Sequence, residues 1–342
     1  MWSRSALEAL RDECFADDVD FDLSALAPLP EDAVRRYFES GGRLPLEECV
    51  RPIYEPPACS CAVSESEIAA AITRHGEVGL LLLTDLPPAP LAEIAELFDD
   101  FLQQSRGEPA AREYPPQLRH LAYKDPERGR NAASGEKKRM FDLSPARLRQ
   151  LGPEEHLAPP PLRAIARFWQ QVAGSVPKLL RALQLASGSA EMLEDDKMVD
   201  YFEKEHEAAP AQRCREHRDF GTLSLIFSHD AGLEALVHNE WRAIPPPPPG
   251  AAVLLFGWVA EIRSNGRLRA CLHRVSDPPV GKAGHSPRRV SAVLFAAPQD
   301  IQQPLEPVVL EGEPRRYISG VSAEAQQMYA AGGQALQPFH AR

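Results

Sequence analysis

The segment His217-Arg218-Asp219-Phe220-Gly221-Thr222-Leu223-Ser224-Leu225 stands at the head of a region whose apolar residues run in short blocks. Helical spacing precedes it and gives way to strand-like spacing after Met198. Leu223 to Phe227, Leu233 to Val237, Val253 to Phe256, Arg269 to Val275 and Val290 to Ala296 are apolar or β-branched runs. Gly232, the prolines at 245–249, Gly250, Gly266, Pro278-Pro279 and Pro287 separate them. Short runs divided by turn residues predict an antiparallel sandwich or barrel. The proline run reads as a rigid turn before Gly250, with a polyproline ligand as the sharper alternative.

His217 and Asp219 form an H-x-D. On a strand, residues i and i+2 project to one side, so imidazole and carboxylate would share a face. His273, in Leu272-His273-Arg274-Val275, lies on another expected strand. Two imidazoles and one carboxylate on one side of a metal make a facial triad, which suits Fe(II) and leaves the opposite positions open. The bland reading is a pair of core or surface histidines. Arg289-Val290-Ser291 adds weight against it. A guanidinium and a hydroxyl at i and i+2 can meet one carboxylate together, through a bidentate charge-assisted pair and a third hydrogen bond.

Upstream, residues 1–47 are acidic and loosely patterned, with one short helix expected from Glu31 to Glu39 that stops at Gly41-Gly42. Pro52, Pro56 and Pro57 mark an extended linker. Ser64 and Glu67 fit a capping box at the start of a helix through Ile68 and Ile72. Gly79 to Thr84 reads as a buried strand and Leu91 to Gln104 as an amphipathic helix. Ser105 to Ser144 is polar and punctuated. Residues 161–186 read as a long helix that Pro177 should kink or split.

The chain of 342 residues is 44% hydrophobic and 25% charged, which is ordinary for a globular protein and argues against disorder despite 33 prolines. Its 38 basic and 49 acidic residues give a net charge of −11, which disfavours a nucleic-acid partner. No apolar run reaches the roughly 18–20 residues of a membrane span. The start leads into acidic residues and shows no secretory pattern, so a cytoplasmic location is expected. The six cysteines include Cys59-Ser60-Cys61. Reduced thiols are the preferred reading of that pair and a metal site the sharper one.

The quoted segment, together with Gly232-Leu233-Glu234-Ala235-Leu236, Trp241 and the later Pro249-Gly250, Ser264-Asn265-Gly266-Arg267-Leu268-Arg269, Leu272-His273-Arg274-Val275 and Arg289-Val290-Ser291-Ala292-Val293-Leu294-Phe295, resembles the isopenicillin N synthase-like family of Fe(II)- and 2-oxoglutarate-dependent dioxygenases. The close resemblance covers residues 196–298 and a weaker one 64–104. It implies a mostly β core with flanking helices, a double-stranded β-helix (jelly roll) with an N-terminal helix–strand–helix module. It implies iron on His217, Asp219 and His273, 2-oxoglutarate on Arg289 and Ser291, and O2 as oxidant. Tyr201, near the family's Tyr-Pro position but without the proline, is carried over as a further co-substrate contact. The implied activity is oxidation of an unactivated C–H bond of a small molecule by hydroxylation, desaturation or ring chemistry, in specialised metabolism. Because halogenating relatives lack the carboxylate, Asp219 argues against halogenation. Two departures bear on substrate choice: a long loop between His273 and Arg289, and Trp258 where many members carry Asp.

The expected organisation is an N-terminal extension (1–47), an N-terminal dioxygenase module (48–150), a long helical segment packing on the core (151–191), the jelly-roll core (192–299) and a C-terminal tail able to act as a lid (300–342). The substrate residues stay open. Lys124, Arg128 and Arg130 could meet an anion, though a solvated loop is the duller reading, and Tyr317, Met328 and Tyr329 could point inward from the tail. A monomer is the family's common condition. An iron oxidase that dispenses with 2-oxoglutarate, and a jelly-roll binding protein with a vestigial metal site, are the competing readings.

Overall fold

The computed structural model describes residues 4–14, 31–39, 53–124, 138–152, 159–188, 198–206, 214–276, 288–298, 300 and 302–322. In chain order the elements are α1 (Arg4–Cys14), α2 (Glu31–Glu39), β1 (Ala58–Ser60), α3 (Glu65–His75), β2 (Leu80–Thr84), α4 (Leu91–Arg106), α5 (Leu118–Leu121), β3 (Tyr123–Lys124), β4 (Lys138–Asp142), α6 (Pro145–Leu151) and α7 (Pro160–Ser187). There follow β5 (Met198–His206), β6 (Cys214–His217), β7 (Leu223–Phe227), β8 (Leu233–Val237), β9 (Glu240–Ala243), β10 (Ala252–Phe256), α8 (Trp258–Arg263), β11 (His273–Val275), β12 (Arg289–Ala297), β13 (Pro304–Leu305) and β14 (Val321–Ser322).

Eight strands form one sheet in the order β1-β2-β10-β7-β12-β5-β4-β3, and four form a second, β6-β11-β8-β9. Every pairing is antiparallel except β1 with β2. The period-2 geometry of a strand explains why the central strands read as unbroken apolar runs: both of their faces are covered. Leu223, Leu225 and Phe227 of β7 join Leu254 and Leu294 in a core under the helices. Ile226, Val253, Leu255 and Val293 point the other way and meet Leu233, Ala235 and Val237 of the smaller sheet. The sandwich interior is that second layer, and the functional cleft opens from it.

The helices cover the outer face of the large sheet. α3 begins with the expected capping box, in which Ser64 Oγ accepts from Glu67 N and Glu67 Oε2 accepts from Ser64 N. α7 buries Ile165, Phe168, Val172, Val176, Leu179 and Leu183, and Phe168 meets Phe227 of β7 edge-on at 5.0 Å. Of the two expected outcomes, a kink or a split, the split does not occur: α7 runs through Pro177 as one helix. A proline inside a helix costs roughly 3 kcal/mol. Full burial of a Val or Leu side chain contributes roughly 1.5–3 kcal/mol, and the buried neighbours Val176, Leu179 and Leu180 outweigh it.

The polar stretch 105–144 contains β4, which joins the large sheet, with Phe141 buried against Phe98 and Phe101. The expected strand Arg269 to Val275 is regular only over β11, because Ala270 N is bonded to Glu261 Oε2 instead of a strand. The sequence reading missed β9, α8 and α1. α2 forms where expected and packs on α1, while its stop at Gly41-Gly42 lies outside the described residues.

Candidate metal centre

β6 ends at His217 and β11 begins at His273, and these two residues are directly paired across the ladder. Their ring centroids are 4.3 Å apart. Asp219 lies two residues beyond the end of β6. The expectation that imidazole and carboxylate project together from one strand is therefore corrected. The carboxylate is brought to the rings by a turn, and three contacts fix that turn. Ser224 Oγ donates to Asp219 Oδ2 at 2.6 Å. Trp258 N donates to Asp219 O at 2.8 Å and Val259 N to Gly221 O at 3.1 Å, so the start of α8 is laid on the turn backbone. Gly257 permits that approach, for a Cβ there would stand 2.1 Å from Gly221 O and 2.9 Å from Asp219 O.

His217 Nε2 lies 3.5 Å from Asp219 Oδ1, and His273 Nε2 lies 4.0 Å from Asp219 Oδ2. One ligand atom from each residue falls within 4.8 Å of the others, the only such grouping of His, Cys, Asp or Glu among the described residues. Each ring's Nδ1 faces a backbone carbonyl: Arg215 O at 2.7 Å for His217 and Cys271 O at 3.1 Å for His273. A carbonyl only accepts, so each Nδ1 carries a proton and Nε2 is the ring nitrogen left to bind a metal once it is deprotonated. Two nitrogens and one carboxylate oxygen of this spacing fit a divalent transition metal with open positions.

The electrostatics agree. Burial pushes the Asp219 pKa up. The charges of His273 and His217 and the hydrogen bonds from His217 and Ser224 outweigh it and hold the carboxyl below the ordinary range. For His217, burial lowers the pKa, yet the hydrogen bonds to Asp219 and Cys214 and their charges raise it to about 10. The metal-free site thus stores a proton on the imidazole that an ion would replace.

Arg289 and Ser291 line the same cleft, along with Ile226, Leu233, Val293 and Phe295. Both are buried, at 2% and 1% exposure. Arg289 Nε donates to Ala231 O at 3.2 Å and Nη1 to Ser291 Oγ at 3.3 Å, which aims the guanidinium along the cleft. Tyr201 sits on β5, paired with Leu294 of β12.

Other candidates fall elsewhere. Lys124 on β3 lies 3.8 Å from Asp142. Arg128, Arg130, Met328 and Tyr329 lie outside the described residues. Tyr317 does point inward, but onto Glu261. Cys59 and Cys61 are buried free thiols and belong to no metal grouping among the described residues. His229 is exposed. Sequence reasoning missed Ser224, whose signal was a lone hydroxyl inside the apolar Leu223-Ser224-Leu225-Ile226-Phe227. It also missed Cys214, which lines the cleft beside His217.

Two largely antiparallel sheets closing on a His-Asp-His cluster, with a buried Arg-Ser pair beside it, define a double-stranded β-helix. Residues 194–298 match the family model of the 2OG-Fe(II) oxygenase superfamily. Over 102 residues it is 36% identical to a bi-functional coumaroyl CoA and feruloyl CoA ortho-hydroxylase of Ipomoea batatas, a match covering 28% of this chain and 26% of that protein. Over 105 residues it is 34% identical to a scopoletin 8-hydroxylase of Arabidopsis thaliana, covering 30% and 28%. The matches thus span about a quarter of the length of these curated relatives. The fold extends further. A rice dioxygenase for auxin oxidation superposes with a TM-score of 0.64 at 20% identity, covering 84% of this chain and 100% of that one. A 2OG-Fe(II) oxygenase family protein from Caulobacter crescentus gives 0.60 at 18% identity, covering 82% and 99%.

Proposed function

We propose that this chain is an Fe(II)- and 2-oxoglutarate-dependent oxygenase that oxidises an unactivated C–H bond of a small molecule. The observation that carries the reading is the convergence on one cleft of the His217, Asp219 and His273 ligand atoms with the buried Arg289 and Ser291. In this reading the first three hold the iron. Arg289 and Ser291 hold the distal carboxylate of 2-oxoglutarate, with Tyr201 a further co-substrate contact. When bound, the iron and co-substrate supply O2 activation coupled to oxidative decarboxylation of 2-oxoglutarate to succinate.

The protein's own groups do the rest. Arg289 offers a fixed fork of N–H donors to a carboxylate, and a buried cation gains most from an anionic partner. Ser224 fixes the Asp219 carboxylate and helps keep it ionised. The carbonyls of Arg215 and Cys271 fix both imidazole tautomers. Ile226, Leu233, Val293 and Phe295 line the cleft with apolar surface that excludes water and positions the substrate C–H bond.

The activities for which the relatives are named, hydroxylation of coumaroyl CoA, feruloyl CoA and scopoletin, support a small-molecule substrate in specialised metabolism. A net charge of −11 supports a partner other than nucleic acid. Among the described residues no helix is long and apolar enough to cross a membrane. We assign the catalytic core to residues 192–299 and read the chain as a cytoplasmic monomer, with residues 300–342 as a tail able to close over the cleft. The test is succinate release, measured with oxygen consumption against a panel of amino acids, peptides and phenolic or other natural-product intermediates. Succinate formed with product supports the reading. Oxygen consumed without succinate supports the oxidase instead.

A further inference from the structure

We propose that Arg218, Glu261 and Tyr317 form a brace holding the two ligand-bearing segments at metal-binding distance, which makes Tyr317 of the C-terminal segment a positioning residue for the metal. The proposal rests on the metal reading of His217, Asp219 and His273.

The brace is centred on the backbone of Ala270, three residues before His273. Its N–H donates to Glu261 Oε2 at 2.6 Å, and its carbonyl accepts from Arg218 Nε at 3.0 Å. Arg218 lies between His217 and Asp219, so that second bond ties the first ligand segment directly to the approach of the second. The guanidinium is seated 5.0 Å over the Trp258 ring, which restricts where its Nε can reach. Trp258 in turn holds Asp219 O through its own N–H. Next in the chain, Cys271 N is bonded to Phe256 O, and Cys271 O orients the His273 ring. A shift of Ala270 would pass through one residue to the carbonyl that sets a ligand's tautomer.

Glu261 is buried at 6% exposure and has its second oxygen on Tyr317 Oη, at 2.5 Å. Tyr317 is 2% exposed and packs with Val259, Ile262 and Leu305. The segment that carries it is fastened along the turn after α8. Asn265 Nδ2 donates to Pro314 O, Arg316 N donates to Asn265 Oδ1, and Arg267 Nη1 donates to Val308 O. The described tail therefore reaches the metal centre from behind, through Glu261 and Ala270. A buried carboxylate with two donors loses its orientation when one is removed, and its remaining bond, to Ala270, is the one the ligand segment depends on.

The test uses the full chain and two readouts: Co(II) titration followed by visible absorption, and amide hydrogen exchange at 270–273 in the metal-free protein. Tyr317→Phe and Glu261→Ala should weaken Co(II) binding about tenfold, as loss of outer-shell partners does. They should also alter the Co(II) spectrum and speed exchange at Ala270. Glu261→Gln, whose amide can still accept from Ala270 and donate to Tyr317, should restore affinity to within about twofold. Arg315→Ala, exposed in the same segment, should change nothing. Wild-type affinity and spectrum in a folded Tyr317→Phe and Glu261→Ala overturn the brace, as does faster exchange with unchanged Co(II) binding, which marks a purely structural role. Co(II) uptake by the wild type that ignores Asp219→Ala overturns the metal reading itself and the brace with it.

Discussion

His217 and His273 are cross-strand partners: the last residue of β6 faces the first residue of β11, with their rings 4.3 Å apart. Antiparallel register thus brings together two ligands far apart in sequence. The carboxylate arrives separately, on a turn held by Ser224 and Trp258. The site therefore depends on groups that never touch the metal.

Ser224 is one of them. Its hydroxyl is fully buried and its bond to Asp219 Oδ2 is 2.6 Å. Ser224→Ala should weaken Mn(II) or Co(II) binding about 10- to 100-fold, the usual effect of losing such a partner. Calorimetric titration checks this, with circular dichroism to show that the fold survives.

Arg289 and Ser291 should separate in their effects on the co-substrate. Hydrogen bonds to a charged group are worth roughly 1.5–3 kcal/mol, so Arg289→Ala should raise the KM for 2-oxoglutarate roughly 10- to 100-fold. Ser291→Ala removes one hydroxyl and should raise it roughly 3- to 10-fold. Arg289→Lys should rescue only part of the loss, because an ammonium lacks the planar fork. Succinate release as a function of 2-oxoglutarate concentration measures all three.

The pH dependence has opposite signs with and without metal. His217 has its pKa raised from 6.5 to about 10 in the metal-free chain. A raised folded-state value means that its pairing with Asp219 stabilises the fold fully below pH 6.5, and that the stabilisation is lost as pH climbs through about 10. A metal must expel that proton. Its apparent affinity should therefore rise with pH below 10, by about tenfold per unit for each proton displaced. Mn(II) titrations at pH 6.5, 7.5 and 8.5 read the slope.

Gly257 should tolerate no side chain. A Cβ 2.1 Å from Gly221 O meets backbone that cannot move without carrying Asp219 along. Gly257→Ala should cost more than the roughly 1–3 kcal/mol of ordinary overpacking, and lower the melting temperature by about 5 °C or more. Thermal unfolding of the metal-free protein tests it.

Much of this was legible in the sequence, for physical reasons that differ by element. β7, β10 and β12 are buried on both faces, so their composition announced strands. His217, Asp219, His273, Arg289 and Ser291 stood out as polar chemistry within or beside apolar runs. β4 did not, because Lys138-Arg139-Met140-Phe141-Asp142 mixes charge into a strand near the edge of the sheet. α8 is six residues buried all round and shows no usable period. The turn that carries Asp219 depends on contacts from α8, which no local pattern encodes. Nor does local propensity reveal that tertiary burial carries α7 through Pro177.

The most direct measurement is the visible spectrum of the anaerobic protein loaded with Fe(II) and 2-oxoglutarate, compared with that of Asp219→Ala treated identically. The account predicts a weak charge-transfer band in the first and none in the second. A band of equal strength in Asp219→Ala would show that the iron is held elsewhere and contradict it.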